Sequence, residues 1–406
     1  MARPPFAGPR MVAVTLLVMT AAFGLNFAAG VFFAPLSDRY GWGVGALSAA
    51  AALSTLVGAA LTPALGTLLD RIGPRRVVTM SLALLATSYL LLAAVDQLWQ
   101  FLLVYPLLGG AGFAGSATLA NSVVIARWYQ RSRATMLART TLGITLGQVV
   151  LLPLAGLLVG RVGTSTAYLL LGALVLLTVV PAAGLLLRDD PAELGQHPDG
   201  LPDPAPAPPT ETSAPGGLAR VQRLGVAGFG LHALTLYAVV LHLPRFTDDL
   251  GLGVAAGATA LALAAAVSGA TMLVTGPLAD RVGQRRVLVV LHGIRVLALL
   301  TAAVASGGPI SLYAFAGLFG ISSFPIIPVT TALLGAGRNP ATLGRLLGRA
   351  WLLHQVAAGA GVLFAGLVRS AAGDYRPWFL LAAATAALGL LLVLRLPVPT
   401  HSRRNP

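Results

Sequence analysis

Cysteine and lysine are both absent from this chain. Without cysteine there is no disulfide framework, no thiolate metal site and no thiol nucleophile. Without lysine, the formal net charge of +14 comes from arginine alone, and in an apolar chain such a balance bears on topology before it bears on nucleic acid. Charge of either sign is scarce: 10% of residues are charged and 56% hydrophobic, with a mean hydropathy of +0.83, which excludes an ordinary soluble globular protein. All thirteen acidic residues fall outside the apolar runs, so a proton pump built on a carboxylate relay is hard to assemble from this inventory. Metal-ligand spacing, a phosphate loop and a nucleophile constellation are also lacking. The chain is therefore expected to be neither an enzyme nor the holder of a metal or cofactor.

What is present is a series of twelve apolar runs, each near the 20 residues needed to cross a hydrocarbon core. They lie at about Met11–Pro35, Ala46–Leu65, Val77–Val95, Leu98–Ala126, Met136–Gly160, Ala167–Leu187, Leu224–Leu243, Val254–Ala279, Val287–Ala305, Ile310–Leu334, Leu343–Val368 and Trp378–Leu396. The first is too long for a signal sequence and is read as an uncleaved helix. The arginines test the count. With the N-terminus cytoplasmic, nineteen fall on the cytoplasmic side, five opposite (Arg39, Arg161, Arg245, Arg369 and Arg376) and three inside runs. That asymmetry predicts a multi-pass protein of the inner membrane with both termini cytoplasmic.

One phrase occurs twice. GTLLDRIGPRRV begins at Gly66 and GPLADRVGQRRV at Gly276, identical at eight of twelve positions and 210 residues apart. The chain thus reads as an internal duplication, with a charged turn after the second and eighth runs. Domains are expected at 1–187 and 224–406, six helices each. Between them, 188–223 holds six acidic residues and LPDPAPAPPTETSAPGG, and reads as a disordered Pro-rich cytoplasmic linker.

The repeated G-x-L-x-D-R-x-G-x-R-R phrase, in a duplicated chain of twelve spans, resembles the signature loop of the major facilitator superfamily. The resemblance implies an all-α membrane protein of two pseudo-symmetric six-helix bundles. It assigns Gly66, Asp70, Arg71, Gly73, Arg75 and Arg76, with Gly276, Asp280, Arg281, Gly283, Arg285 and Arg286, to gating. Physically, glycines permit a tight turn, and Asp70 or Asp280 can take an arginine or a neighbouring helix N-terminus as partner. GVFFAPLSDRYGWGVGALS from Gly30, the RWY at Arg127, RDDPAELGQHPDG from Arg188, LHLPRFTDDLG from Leu241 and GDYRPWF from Gly373 resemble, in their shared order, bacterial members of the monocarboxylate and oxalate/formate transporter group. That implies a small organic anion as substrate, coupled to protons or to exchange. One departure matters: where the human-type monocarboxylate carriers and the oxalate exchanger place an arginine on the eighth helix, and the former an aspartate four residues earlier, this chain has Met272 and Ser268. Drug exporters of the superfamily are the alternative. Their usual arginine on the fourth helix is replaced here by Tyr105, and the Gly-Pro pair of the fifth by Leu152 and Pro153.

The polar residues inside the runs are cationic or neutral. FGLN from Phe23 and FGLH from Phe229 stand at matching depth, which pairs Asn26 with His232. The superfamily's first, fourth, seventh and tenth helices surround its pathway, so Asn26, His232 and Asn121 become cavity candidates. His354 and Gln355 sit deep in the eleventh run, where burial without a partner is costly, and Arg349 shares a face with Arg345. These six are the expected substrate-binding residues. Arg139 is expected to snorkel, and His292 and Arg295, on an outer-shell helix of the superfamily, to be structural or interfacial. The expected function is secondary transport of a small anion across the bilayer by alternating access, with His232 or His354 able to carry a proton. A transporter-like sensor is the reading from another class. No nucleic acid is expected as partner.

Overall fold

A computed structural model describes residues 5–42, 44–201, 216–252, 254–304, 308–336, 338 and 342–396. Twelve of its helices are long and apolar enough to cross a bilayer. They are α1 (Gly8–Phe32), α2 (Ala49–Ile72), α3 (Pro74–Leu92), α4 (Leu98–Trp128), α5 (Arg133–Val162), α6 (Thr164–Leu186), α7 (Arg220–Leu243), α8 (Thr259–Val282), α9 (Gln284–Ala303), α10 (Pro309–Gly335), α11 (Leu343–Arg369) and α12 (Arg376–Leu394). The described residues contain no strand. All twelve expected spans are present. Large apolar side chains such as Leu177, 73% exposed, point outward, which is tenable only against lipid.

The duplicated phrase differs from the loop expected of it. Asp70 and Arg71 lie on the last turn of a helix running Val44–Ile72, and Arg75 and Arg76 on the first turn of α3. Gly73 alone separates the two helices, at φ 84°. In the second copy Gly283, at φ 93°, stands between Val282 and Gln284. Only glycine takes such a conformation without strain. The two helices can therefore reverse within a single residue.

Two compact units emerge, one of residues 1–205 with 338–352 and the other of 206–337 with 353–406. In the first, α1 and α5 meet through glycine: a Cβ at Gly147 would lie 2.6 Å from the Gly24 nitrogen, and one at Gly143 2.8 Å from the Leu16 carbonyl. Gly143 and Gly147 are four residues apart on one face, the small-residue spacing that lets helix backbones approach in lipid, where burial from water no longer drives association. The second unit makes the same kind of approach at Gly361 of α11, which lies against the Leu234 backbone of α7.

Residues 188–201 correct the expectation of a disordered linker. They form two short turns, Pro191–Leu194 and Pro198–Gly200, and their side chains satisfy helix ends. The Asp189 carboxylate accepts the Arg75 N–H at 2.6 Å, on the first turn of α3. Asp199, at φ 59°, accepts the N–H groups of Gln130 and Arg131 at 2.9 Å each and the Ser132 hydroxyl at 3.2 Å, just before α5. Gln196 binds the Ala7 N–H and the Pro5 carbonyl, both at 3.0 Å, and the Trp128 indole donates to the Arg188 carbonyl. Burial, with Asp199 beside it, pushes the Tyr129 phenol up to about 12. A run with too few apolar groups to form a core can still be fixed when its carboxylates meet orphan helix N–H groups. The remainder of the Pro-rich stretch, 202–215, lies outside the described residues.

Candidate functional site

Two spans are interrupted. In the second unit, α10 consists of Pro309–Ser322 and Ile326–Gly335. Pro325 has no N–H and disfavours helical backbone at the residue before it, so the helix stops there. The break leaves backbone groups without helical partners at membrane depth, where each must be satisfied by protein. Arg295 of α9 meets one side: its Nη2 donates to the Ser322 carbonyl at 2.5 Å and its Nε to the Ser322 hydroxyl at 3.2 Å. Ser268 of α8 meets the other, accepting the Phe324 N–H at 3.2 Å. The Arg295 guanidinium carbon stands 4.5 Å from the centre of the Phe319 ring. Arg295 is 1% exposed, and its Nη1 has no hydrogen-bond partner among the described residues.

In the first unit, α4 is interrupted at Ala117, where ψ is −150°. Asn121 serves this break from one turn further along. Its Nδ2 donates to the Ser116 and Ala117 carbonyls, 2.7 Å each, and its buried Oδ1 has no partner among the described residues. Two carbonyl partners fix the amide orientation. Asn121 therefore offers anything else an acceptor, not a donor.

Three of the expected binding residues come together in the second unit. His232 of α7 and His354 of α11 have ring centroids 6.2 Å apart, and His354 Nδ1 lies 3.3 Å from Gln355 Oε1. Phe229 packs on the His354 ring at 4.1 Å and Tyr237 meets it edge-on at 5.9 Å. His232 is 3% exposed, and neither of its ring nitrogens has a hydrogen-bond partner among the described residues. Asn26 is half-buried on α1 and Arg349 exposed on the first third of α11, both in the first unit with Asn121. Arg139 is exposed near the start of α5, as a snorkelling arginine would be. Met272 and Ser268 are both fully buried.

The signature residues divide their work. In the first unit the Asp70 carboxylate accepts the N–H groups of Gly344 and Arg345, on the first turn of α11, at 2.8 and 2.9 Å. Arg75 Nε donates to the Gly184 carbonyl in the last turn of α6 at 2.7 Å, and Arg285 Nη2 to the Leu394 carbonyl at the end of α12 at 2.6 Å. Gly184 and Leu394, like Arg75 and Arg285, are 210 residues apart. The duplication thus preserves a cation on an orphan C-terminal carbonyl. Arg71, Arg76, Arg281 and Arg286 are exposed.

Sequence reasoning missed the weight of Arg295 and Ser268. An arginine inside an apolar run, with no acidic residue in any run to meet it, was the available signal; the partner, the Ser322 carbonyl freed by the break in α10, was not readable.

Residues 14–348 match the family model described as Major Facilitator Superfamily. The chain belongs to that superfamily. Among curated relatives it is 23% identical over 362 residues, 87% of each chain, to the uncharacterized MFS-type transporter YcxA of Bacillus subtilis. It is 27% identical over 406 residues to monocarboxylate transporter 13 of Rattus norvegicus, covering 95% of this chain and 88% of the relative. Among solved structures it is similar to FucP in the outward conformation, with TM-score 0.74, 15% identity, and 95% and 98% of the two chains covered. It is also similar to the human organic anion transporter MFSD10, with TM-score 0.69, 18% identity, and 96% and 100% covered. The superfamily member described here is accordingly a multi-pass membrane transporter of a small molecule.

Proposed function

We propose that this transporter carries a small organic anion of the monocarboxylate class across the inner membrane by alternating access, with both termini cytoplasmic. One observation carries the reading. The spans hold acidic residues only at Asp70 and Asp280, in the last turns of α2 and α8, while Arg295, His232 and His354 are buried within the second unit. A charged group at membrane depth needs a partner, and a passenger carboxylate supplies the missing sign. The likeness to a monocarboxylate transporter supports the same substrate class, and the asymmetry of the arginines supports the orientation.

In this reading His232, His354 and Gln355 contact the anion within the second unit, and Asn26 and Arg349 are the first unit's own substrate-binding candidates. Asn121, with its amide hydrogens committed, accepts from a substrate hydroxyl or a protonated carboxyl. Histidine changes charge near neutral pH, so His232 or His354 would carry the proton that couples transport to the pH gradient. The Asp70 contact with the start of α11 serves as a latch that one conformer makes and the other releases. Counterflow of radiolabelled lactate, pyruvate, acetate and benzoate into proteoliposomes, with and without a pH gradient, tests this. Exchange of at least one carboxylate is expected. Flux confined to cationic or uncharged compounds would overturn the substrate class.

A further inference from the structure

We propose that Arg295 is the residue that meets the passenger's charge, binding a carboxylate through its Nη1 edge. The inference rests on the anion-transport reading above and names the residue on which it turns.

Capping the α10 break does not by itself call for an arginine. At the interruption of α4 the same task, donating to carbonyls left over where a helix stops, is done by the neutral amide of Asn121. The two acceptors Arg295 holds, the Ser322 carbonyl and hydroxyl, engage its Nε and Nη2 while leaving its full charge uncompensated. The C-terminal end of the first α10 segment offers only a fraction of a negative charge. No carboxylate lies in the spans of the second unit apart from Asp280, in the last turn of α8. The positive charge therefore exceeds the structural task, at a depth where charge is costly.

The geometry suits an anion site. Phe319 covers the guanidinium and Ser322 pins two of its nitrogens, so Nη1 is fixed in orientation before any ligand arrives, which lowers the ordering cost of binding. Nη1 is a buried donor with no partner among the described residues. Buried donors in this condition fit a ligand that brings acceptors. A carboxylate brings two oxygens and the compensating charge together.

The test compares the purified full chain with Arg295→Gln and Arg295→Lys by thermal unfolding, titrating sodium acetate, lactate, pyruvate and benzoate against their neutral amides at constant chloride. Glutamine keeps a donor for the Ser322 carbonyl and removes the charge; lysine keeps the charge at that carbonyl but has no second fork nitrogen to offer. Wild type is expected to be stabilised by carboxylates and not by amides. Arg295→Gln is expected to elute as a folded monodisperse species whose carboxylate affinity is weaker by at least about tenfold, the loss typical of one charge-assisted hydrogen bond. Unchanged affinity in that variant would overturn the role of Arg295 while leaving anion transport standing. Should Arg295→Gln not fold, Arg295→Lys decides: a comparable weakening supports the assignment and wild-type affinity removes it. Wild type that responds only to the amides would sink the transport reading and the inference together.

Discussion

The Asp70 carboxylate sits on the first turn of α11, 2.8 Å from the Gly344 nitrogen. Leu343 opens that helix, so Gly344 and Arg345 supply two of the four N–H groups that no helix can bond internally. Asp70 therefore acts as an N-cap delivered from another helix. The Arg345 guanidinium, 3.6 Å away and largely exposed, adds little, since exposed ion pairs contribute about 0–1 kcal/mol. Asp70→Ala is expected to cost the conformer that makes this contact about 1–2 kcal/mol, as loss of a cap and of its dipole interaction does. That shifts the balance between conformers by roughly five- to thirtyfold. Arg345→Ala is expected to leave transport within about twofold. Counterflow rates of the two variants, at equal reconstituted protein, separate carboxylate capping from ion pairing.

Beside this cap the helices touch backbone to backbone. A Cβ at Gly66 would stand 2.5 Å from the Gly344 carbonyl and 3.2 Å from the Gly348 Cα, and neither can yield by rotating a side chain. Gly66→Val is expected to force α2 and α11 apart, giving a transporter that is inactive in counterflow and unfolds at lower temperature. Gly293 of α9 provides the control. A Cβ there meets nothing within 4 Å, so Gly293→Ala is expected to be neutral or to stabilise by up to about 1 kcal/mol through helix propensity. Fluorescence-detected size exclusion after heating reads both.

The spans were legible because lipid leaves the chain no choice: an apolar run of this length must satisfy its backbone within itself, and composition records that demand. The duplicated phrase was legible as a repeat but not as a shape, since nothing in its spelling says that Asp70 is still helical and that Gly73 alone makes the turn. At the candidate site the limit was of another kind. Arg295 and Asn121 bind carbonyls exposed by interruptions of α10 and α4, and in α4 no proline stands at the interruption to announce it. His232 and His354 were expected as separate candidates, and their meeting at 6.2 Å depends on how α7 and α11 pack.

Arg75 and Arg285 do the same work in the two copies of the duplication, on carbonyls in the last turns of α6 and α12. Hydrogen bonds from a charged donor contribute about 1.5–3 kcal/mol when buried. Both arginines are only half-buried, so about 1 kcal/mol each is expected after solvent screening. Arg75→Ala and Arg285→Ala should each lower the unfolding midpoint by a few degrees, while Arg71→Ala and Arg76→Ala, at exposed positions, should leave it unchanged. Differential scanning fluorimetry in detergent distinguishes the arginines that hold helix ends from those that serve topology alone.

Asp199 holds a left-handed backbone conformation at φ 59° while its carboxylate collects the Gln130 and Arg131 N–H groups and the Ser132 hydroxyl. Aspartate and asparagine tolerate that conformation better than alanine does, because their short polar side chains bond locally. Asp199→Ala therefore loses the contacts and gains strain together, about 2 kcal/mol in sum. Asp199→Asn keeps the backbone preference and one acceptor oxygen, so it should lose less than half as much. Because the neighbouring turns carry few apolar contacts, the damage should be local. Limited proteolysis is expected to cut Asp199→Ala within 189–201 several times faster than wild type, with Asp199→Asn intermediate. Equal rates in all three would mean that Gln196 and Asp189 hold the segment without Asp199.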